Sequence, residues 1–244
     1  MTHGKNSGTP ATEFAWQLAR VVEVVPETAR TTSIVLDVPD WPVHLAGQHV
    51  DVRLTAEDGY QAQRSYSIAS APDDDQLAIT VQRLDDGEVS PYLTMLEPGG
   101  EFELRGPIGG YFVWQESLGG PLLLVAGGAG VVPLRAMLRH QDATASDTPA
   151  RLLYSARTRG DVIYRTELEK YETTITLTDE RPDGWSGRTG RIDSEFLADA
   201  AWPAEDLPLV YICGPTGFVE AVADTLVTLG HDPSRIRTER FGPT

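Results

Sequence analysis

The feature that most constrains the fold is a change in sequence pattern shortly after Val113. From Phe14 to about Val113, short runs rich in β-branched and aromatic residues are separated by clusters of Pro, Gly and Asp, which favours an antiparallel barrel or sandwich. Further along, apolar strands alternate with helical segments, which predicts a parallel sheet covered on both faces. A chain of 244 residues has room for two cores. We therefore expect two domains, a closed antiparallel β-barrel over residues 14–116 and a parallel-sheet α/β domain over residues 117–244.

The start of the chain and its apolar runs indicate where the protein resides. Residues 1–13 are mostly small and polar, so we expect a disordered leader rather than a secretory signal peptide. The longest apolar run, residues 121–126, is far shorter than the roughly 20 residues that span a bilayer, and it is typical of a buried parallel strand. We expect a cytoplasmic monomer that does not bind a membrane.

Charge and cysteine content exclude several classes of site. The formal net charge of −16 argues against a nucleic-acid partner or an anionic membrane. Residues 1–117 carry 18 acidic and 7 basic side chains, whereas residues 118–244 carry 18 and 13, so a phosphate group should bind more readily in the second half. Cys213 is the only cysteine in the sequence, which excludes an intrachain disulfide, a cysteine-based zinc site and an iron–sulfur cluster held by this chain. No metal site is expected.

A short segment, Arg64-Ser65-Tyr66-Ser67, places a cation, an aromatic ring and hydroxyl groups on one extended stretch. Because side chains alternate faces along a strand, Arg64 and Tyr66 share one side. There a guanidinium can bind a pyrophosphate and a phenol can lie against a ring system, as a flavin requires. Ser67 lies on the other face or at the strand end, where it can reach an edge nitrogen of the flavin. The same residue types also occur on solvated strand edges, so the motif needs structural context.

A second candidate element, Gly87-Glu88-Val89-Ser90, precedes the helix that we expect in the first domain, over residues 90–96. Ser90 is expected as the N-cap and Pro91 as the first helical residue. The free N–H groups at such a helix start can bind an anion. A plain capped helix also explains the pattern.

A glycine-rich turn follows the first predicted strand of the second domain. It runs from Gly127 to Pro133 and leads into a helix predicted over residues 134–140. Gly128 and Gly130 let the turn approach a dinucleotide pyrophosphate, and Pro133 fits the first helical turn. Tight packing between the strand and the helix is the alternative explanation.

The next strand of this domain carries candidates for nucleotide selection. It is predicted over residues 151–157 and ends in Ser155 and Arg157, where an NAD-selective domain places an acidic residue. A hydroxyl and a cation suit a 2′-phosphate, so NADPH is expected, with NADH left open. Arg165, in a helix predicted over residues 162–171, is a further phosphate candidate. Solvated loop charges are the alternative.

The turn Cys213-Gly214-Pro215 follows a strand predicted over residues 209–213. Ligands of open α/β sheets lie beyond the carboxyl ends of the strands, so Cys213 can face the same crevice as the glycine-rich turn. A lone cysteine is also often simply buried. The chain finishes with a predicted strand that ends at Phe241.

Taken together, these motifs resemble the ferredoxin-NADP reductase family over residues 14–244, in which an FAD-binding β-barrel precedes an NAD(P)-binding α/β domain. The family's Arg-x-Tyr-Ser motif matches Arg64, Tyr66 and Ser67. The resemblance implies that Arg64 holds the flavin pyrophosphate, Tyr66 stacks on the isoalloxazine and Ser67 hydrogen-bonds near N5. The segment from Gly87 to Ser90 resembles the second flavin element of the family. FAD is therefore expected, with FMN left open as the less favoured cofactor.

The remaining family elements resemble the nucleotide side of such enzymes. The stretch from Gly128 to Pro133 is similar to the family's nucleotide motif, and Cys213, Gly214 and Pro215 match its Cys-Gly-Pro turn, which borders the nicotinamide. Near the carboxyl terminus, Glu239 resembles the family's acidic residue and Phe241 the aromatic residue that covers the other flavin face. The chain extends three residues beyond Phe241, unlike plant-type members.

This resemblance implies a reductase similar to the reductase part of bacterial oxygenase systems. NADPH would deliver a hydride to flavin N5 after the nicotinamide displaces Phe241, and electrons would pass singly to a separate ferredoxin, oxygenase or cytochrome component. Ser67 and Glu239 would tune proton supply near N5, and Cys213 would shape the pocket at the nicotinamide C4. Two alternatives stay open, namely an NAD(P)H:flavin reductase that uses free flavin and a flavin-binding relay module without turnover.

Overall fold

The computed structural model describes residues 15–242, in which two six-stranded sheets form the centres of two domains. The first sheet is antiparallel and the second parallel, so the predicted two-domain architecture is confirmed. The leader predicted over residues 1–13 lies outside the described residues, as do Pro243 and Thr244. Within the described part, no helix combines the length and the apolar character needed to cross a membrane.

The first domain is a barrel whose strands pair in the order β4-β3-β6-β1-β2-β5. A bridge between Ile68 and Ile79 joins the segment after β4 to β5 and closes the sheet. Ile34, Ile79 and Leu104 are fully buried inside it, because alternate residues of each strand face the interior. The elements are β1 (Gln17–Thr28), β2 (Thr31–Asp37), β3 (His49–Thr55), β4 (Gln61–Ser67), β5 (Leu77–Gln82), the short helix α1 (Ser90–Leu93) and β6 (Glu101–Ile108).

The second domain is a parallel sheet with helices on both faces. Its strands pair in the order β10-β9-β8-β7-β11-β12. The strands are β7 (Leu122–Gly127), β8 (Ala150–Ala156), β9 (Thr173–Leu177), β10 (Arg188–Thr189), β11 (Leu209–Pro215) and β12 (Ile236–Phe241). The helices are α2 (Val131–Ala143), α3 (Arg165–Leu168), α4 (Ser194–Ala200) and α5 (Thr216–Thr228).

The central strand β7 is buried along its whole length. Leu122 and Leu124 belong to the core that contains α2, whereas Leu123 and Val125 belong to the core that contains α4 and α5. An unbroken apolar run is expected of a parallel strand that is covered on both faces. With both faces of the sheet covered by helices, the ends of its strands remain available to contact the barrel.

Two local predictions are wrong. The helix predicted over residues 162–171 is reduced to α3 because Tyr164 is left-handed, with φ of 58°, and a helix cannot continue through such a residue. The helix predicted over residues 90–96 ends at Leu93, and its N-cap is Val89 rather than Ser90. The Ser90 hydroxyl instead accepts a hydrogen bond from the Leu84 N–H at 3.0 Å.

The two domains are joined by a buried polar contact. Tyr164 of the α/β domain is 4% exposed, and its hydroxyl shares a hydrogen bond with Thr80 Oγ1 on β5. Thr80 also contacts the Ser33 hydroxyl on β2 at 2.8 Å. Arg135 on α2 donates to the Ala69 carbonyl of the barrel at 3.0 Å. Buried polar groups need such partners, so separating the domains would leave several of them unpaired.

We predict a measurable coupling between Thr80 and Tyr164. In a double-mutant cycle of Thr80→Val and Tyr164→Phe, the free energies of urea unfolding should be non-additive by about 1 kcal/mol, the typical value of one hydrogen bond. Pairing Tyr164→Phe with Thr228→Val, an exposed residue of α5, should give additive effects. A coupling indistinguishable from that of this control pair would contradict the proposed role of the contact.

Candidate functional site

A cleft of about 520 Å³ lies at the seam between the two domains. Its size falls in the range of about 300–1,000 Å³ that is usual for ligand pockets. The barrel contributes Arg30, Gln82, Arg83 and Leu84, and the α/β domain contributes the glycine-rich turn, the ends of β8 and β11, and Phe241. The two halves of the chain therefore face each other across one cavity.

The α/β side of the cleft is built where the strand order reverses. β7 lies between β8 and β11, and the carboxyl ends of such strands form the usual ligand crevice of an open α/β sheet. A Cβ atom at Gly130 would clash with the Cys213 carbonyl oxygen, so only glycine fits there. Gly128 has φ of +54° and open space at its Cβ position, and it lines the cleft. The turn can thus approach a ligand at Gly128, while Gly130 packs against β11.

Several other predicted residues of this turn and of the Cys-Gly-Pro turn serve packing. Pro133 is buried in the first turn of α2. A Cβ atom at Gly214 would lie 2.7 Å from the Phe218 ring and 3.2 Å from Gly127 Cα. Pro215 is exposed and lines the cleft. The packing explanation therefore holds for Gly130, Pro133 and Gly214, whereas Gly128 and Pro215 face the cavity.

On the barrel side, Arg64 links the two predicted flavin elements. Its guanidinium is about half exposed, and Nη2 lies 3.2 Å from Glu88 Oε2, next to Gly87 and Val89. The Tyr60 hydroxyl donates to the other Glu88 oxygen at 2.5 Å. The segment that precedes α1 is thus held beside the middle of β4. Sequence analysis did not single out Tyr60, which belongs to no recognisable motif, and it named Glu88 only as a member of the second flavin element, without a role.

The side chains of Ser65, Val89 and Ser90 make contacts within the barrel and are not available to a ligand. The Ser65 hydroxyl donates to Asp51 Oδ1 at 2.6 Å, and Asp51 in turn binds Arg105. Val89 is 1% exposed and belongs to the barrel core. Any contact of these residues with a cofactor would therefore use the backbone.

Tyr66 presents a neutral aromatic ring near the end of β4. It packs partly against the barrel core, and burial raises its pKa to about 12. A phenol that stays protonated at neutral pH can lie against an apolar ring without the desolvation penalty of a charge. Ser67 ends β4 and is paired in the sheet with His49 on β3.

A line of titratable groups continues from this point across the seam. His49 Nδ1 lies 3.9 Å from Glu239 Oε1, and Glu239 is paired in the sheet with Cys213. Burial lowers the pKa of His49, raises that of Cys213, and raises that of Glu239 to about 7. Glu239 Oε2 is buried without a hydrogen-bond partner among residues 15–242. The sequence offered no sign of His49, because only the pairing of β3 with β4 brings it here.

The nucleotide-selection candidates divide into two groups. Ser155 and Arg157 line the cleft, with Arg157 Nη2 3.7 Å from Asp161 Oδ1. Arg165 does not line it. It borders two surface grooves together with Arg159, because α3 begins only after the left-handed Tyr164 has turned the chain towards the barrel.

The cleft also contains residues that sequence analysis did not single out. Arg30 and Arg83 lie on its barrel wall, and Phe218 lies beside Gly127. Phe241 is 37% exposed and is paired in the sheet with Pro215. The half-exposed Phe241 ring at the edge of the cleft could therefore move to open or cover the cavity.

These residues fit a dinucleotide flavin and a nicotinamide nucleotide. The half-exposed Arg64 guanidinium beside the α1 segment suits a pyrophosphate, and the neutral Tyr66 ring suits a tricyclic system. The orphaned Glu239 oxygen marks a buried place where a hydrogen-bonding ligand edge would supply the missing partner. On the other side, the open Gly128 turn and Arg157 suit a second set of phosphates.

Family comparisons agree with this division of the chain. Residues 18–113 match the model described as an oxidoreductase FAD-binding domain, and residues 124–224 match that of an oxidoreductase NAD-binding domain. Ferredoxin–NADP reductase B of Sorangium cellulosum is 35% identical over 240 residues, which cover 91% of this chain and 96% of that protein. The glycine betaine monooxygenase reductase subunit of Chromohalobacter salexigens is 32% identical over 257 residues, which cover 98% of this chain and 69% of that protein.

Solved structures give the same result. The FAD/NAD-binding domain of nitric oxide dioxygenase from Vibrio cholerae superposes with a TM-score of 0.83 at 29% identity, covering 93% of this chain and 99% of that one. A cytochrome P450 reductase from Amycolatopsis superposes with a TM-score of 0.82 at 25% identity, covering 94% and 71%. With both domain models matched in order and relatives aligned along nearly its whole length, the chain belongs to the ferredoxin–NADP reductase-like family of oxidoreductases that use FAD and NAD(P)H.

Proposed function

We propose that this flavoenzyme takes electrons from NADPH and passes them through bound FAD to a separate one-electron carrier, such as a ferredoxin or the oxygenase or cytochrome component of a monooxygenase system. The observation that carries the proposal is the cleft between the two domains, in which the end of β5 faces the glycine-rich turn and the end of β8. A cytoplasmic monomer is part of the same proposal. The relative that is named as a monooxygenase reductase subunit supports a separate acceptor.

In this function the residues of the barrel bind FAD, and Cys213 of the α/β domain borders the site of hydride transfer. FAD supplies the redox chemistry, since it accepts electrons in a pair and releases them singly. Arg64 and the backbone before α1 bind its phosphates, and Tyr66 supports its ring from the barrel side. Ser67 offers a hydroxyl at the end of β4. The buried thiol of Cys213 stays protonated and keeps water away from the reacting edge.

Glu239 holds a proton at the seam near neutral pH. Its pKa is raised to about 7 because burial disfavours the carboxylate. His49, 3.9 Å away, has a lowered pKa for the same reason and is neutral under these conditions. Glu239 can therefore take up or release a proton near neutral pH, as a group that supplies protons at the seam requires.

A first experiment tests the function itself. The purified protein should be yellow with bound FAD. Addition of NADPH under anaerobic conditions should bleach the flavin absorbance, and a one-electron acceptor added afterwards should reoxidise the flavin. Excess free FAD should not raise the rate. A colourless protein that turns over only with added flavin would instead identify a reductase of free flavin, and a flavin that neither NADPH nor NADH bleaches would identify a relay module.

A second prediction concerns nucleotide selection. Arg157→Gln should raise the KM for NADPH about tenfold, which corresponds to about 1.4 kcal/mol, because a charge-assisted contact with the 2′-phosphate is lost. The KM for NADH should stay within twofold. Arg165→Gln is the matched control, since Arg165 lies outside the cleft, and it should leave both values unchanged. An equal effect of Arg157→Gln on the two nucleotides would remove Arg157 from 2′-phosphate recognition.

A third prediction follows from the raised pKa of Glu239. The native protein keeps this proton up to about pH 7, whereas an unfolded glutamate loses it near 4.5, so its contribution to stability is present at low pH and is lost as the pH rises through 7. Glu239→Gln should therefore gain about 2–3 kcal/mol relative to wild type between pH 5 and pH 8, measured as the free energy of urea unfolding. Glu220→Gln, at an exposed position of α5, should show no such change. A pH-independent difference for Glu239→Gln would contradict the buried, protonated carboxyl.

A further inference from the structure

One of the two grooves that Arg159 and Arg165 border is a separate cavity of the α/β domain. Its volume is about 360 Å³, within the range of about 300–1,000 Å³ that is usual for small-molecule pockets. It shares no lining residue with the cleft between the domains. We call this cavity, which is bordered by the two arginines and by Tyr171, Ile175 and Trp185, the β9 pocket.

The floor of the β9 pocket is apolar and is held in place. Tyr171, Ile175 and Trp185 are only partly buried and pack against the core of the α/β domain. The indole N–H of Trp185 donates to the Arg188 carbonyl at 2.9 Å, and the Tyr171 hydroxyl donates to Asp142 Oδ2 at 2.8 Å. The polar atom of each aromatic side chain is therefore used within the protein, and the carbon faces of the rings are left to contact a ligand.

Arg159 and Arg165 border this floor without an acceptor for their guanidinium groups. Both are exposed, and within residues 15–242 neither side chain makes a hydrogen bond or an ion pair with protein. Arg159 is held through its backbone instead, since its N–H donates to Glu180 Oε2 at 2.7 Å. The neighbouring Arg157 differs, because its Nη2 lies 3.7 Å from Asp161 Oδ1. Arg159 and Arg165 therefore keep their side-chain donors available to a ligand.

Fold stability does not account for this pair of cations. Even a paired surface charge contributes only about 0–1 kcal/mol, and these two arginines have no partner. Their like charges repel each other when both border one cavity. Glu169 also borders the pocket, so its lining carries two arginines and one glutamate and has a single net positive charge. That charge faces a cavity with an aromatic floor.

The floor and the charge of the pocket together define the chemistry of its ligand. Tyr171 and Trp185 favour a flat ring, since aromatic side chains gain from stacked or edge-to-face contacts with other rings. A guanidinium pairs with a carboxylate through two parallel hydrogen bonds. A carboxylate carries one negative charge, whereas a phosphate monoester carries nearly two at pH 7. The single net charge of the lining therefore matches a carboxylate better than a phosphate.

We propose that the β9 pocket binds a small aromatic carboxylate, with the ring of the ligand against Trp185 and Tyr171 and its carboxylate at Arg159 and Arg165. The site lies outside the cleft that is assigned to the nucleotide. The inference therefore goes beyond the proposed electron transfer and does not depend on the identity of the acceptor.

The test is calorimetric titration of the FAD-loaded protein with 2-naphthoate at pH 7. One site per chain is expected, with a dissociation constant of about 0.1 mM or lower. Arg159→Gln and Arg165→Gln should each weaken binding about tenfold, which corresponds to about 1.4 kcal/mol, because a charge-assisted contact is lost. Arg191→Gln is the matched control, because Arg191 is an exposed arginine of the same domain that borders neither groove. It removes the same charge and should change the dissociation constant less than about twofold.

Related ligands and the nucleotide separate this site from others. 2-Naphthol lacks the carboxylate and cyclohexanecarboxylate lacks the aromatic ring, so each should bind about tenfold more weakly than 2-naphthoate or worse. Saturation with NADP⁺ should leave the affinity for 2-naphthoate unchanged. Displacement of 2-naphthoate by NADP⁺ would overturn the proposal, because it would place the ligand in the cleft between the domains. Absence of binding to the wild-type protein, equal binding of 2-naphthol, or unchanged affinity in the Arg159→Gln/Arg165→Gln double variant would overturn it as well.

Discussion

The contact that the rest of the structure depends on is the docking of the α/β domain onto the barrel. Arg135 lies on α2, the helix that follows the glycine-rich turn, and its guanidinium reaches the Ala69 carbonyl, two residues beyond Ser67. The same guanidinium lies 4.5 Å from the Tyr164 ring, and it also binds Glu167. The helix of the nucleotide turn is thereby tied directly to the segment that follows β4, the strand of the flavin motif. This fixes the width of the cleft, which neither domain could form alone.

Charge is distributed in this cleft according to the chemistry of its ligands. Tyr66 and Cys213 are neutral near pH 7 because burial raises their pKa values, and Glu239, whose pKa burial raises to about 7, is partly protonated there. Cations such as Arg64 and Arg157 stand at the periphery and remain partly exposed. A ligand with an uncharged ring system and phosphate tails meets both requirements. The overall charge of −16 therefore gives little information about the site, since local placement decides what binds.

Sequence patterns predicted the antiparallel first domain, the parallel second domain and the positions of the two glycine turns, because period, apolar runs and glycines are local properties. They failed where the outcome depends on contacts between distant segments. Tyr164 shortens α3 because its hydroxyl is bound by Thr80 in the other domain. His49, Arg30 and Arg83 enter the site only through strand pairing, which a single sequence does not display. Arg165 was a phosphate candidate because arginines cluster in the second half of the chain, but only the folded chain shows that it lies outside the cleft.

The central claim is that an FAD ring is held at the seam against Tyr66, with the nicotinamide nucleotide entering from the α/β side. A crystal structure of the protein with FAD and NADP⁺ tests this most directly. The account predicts the isoalloxazine in contact with Tyr66, the FAD pyrophosphate at Arg64, and the 2′-phosphate of the nucleotide at Arg157. A flavin bound away from the seam, or a nucleotide outside the cleft between the domains, would contradict it.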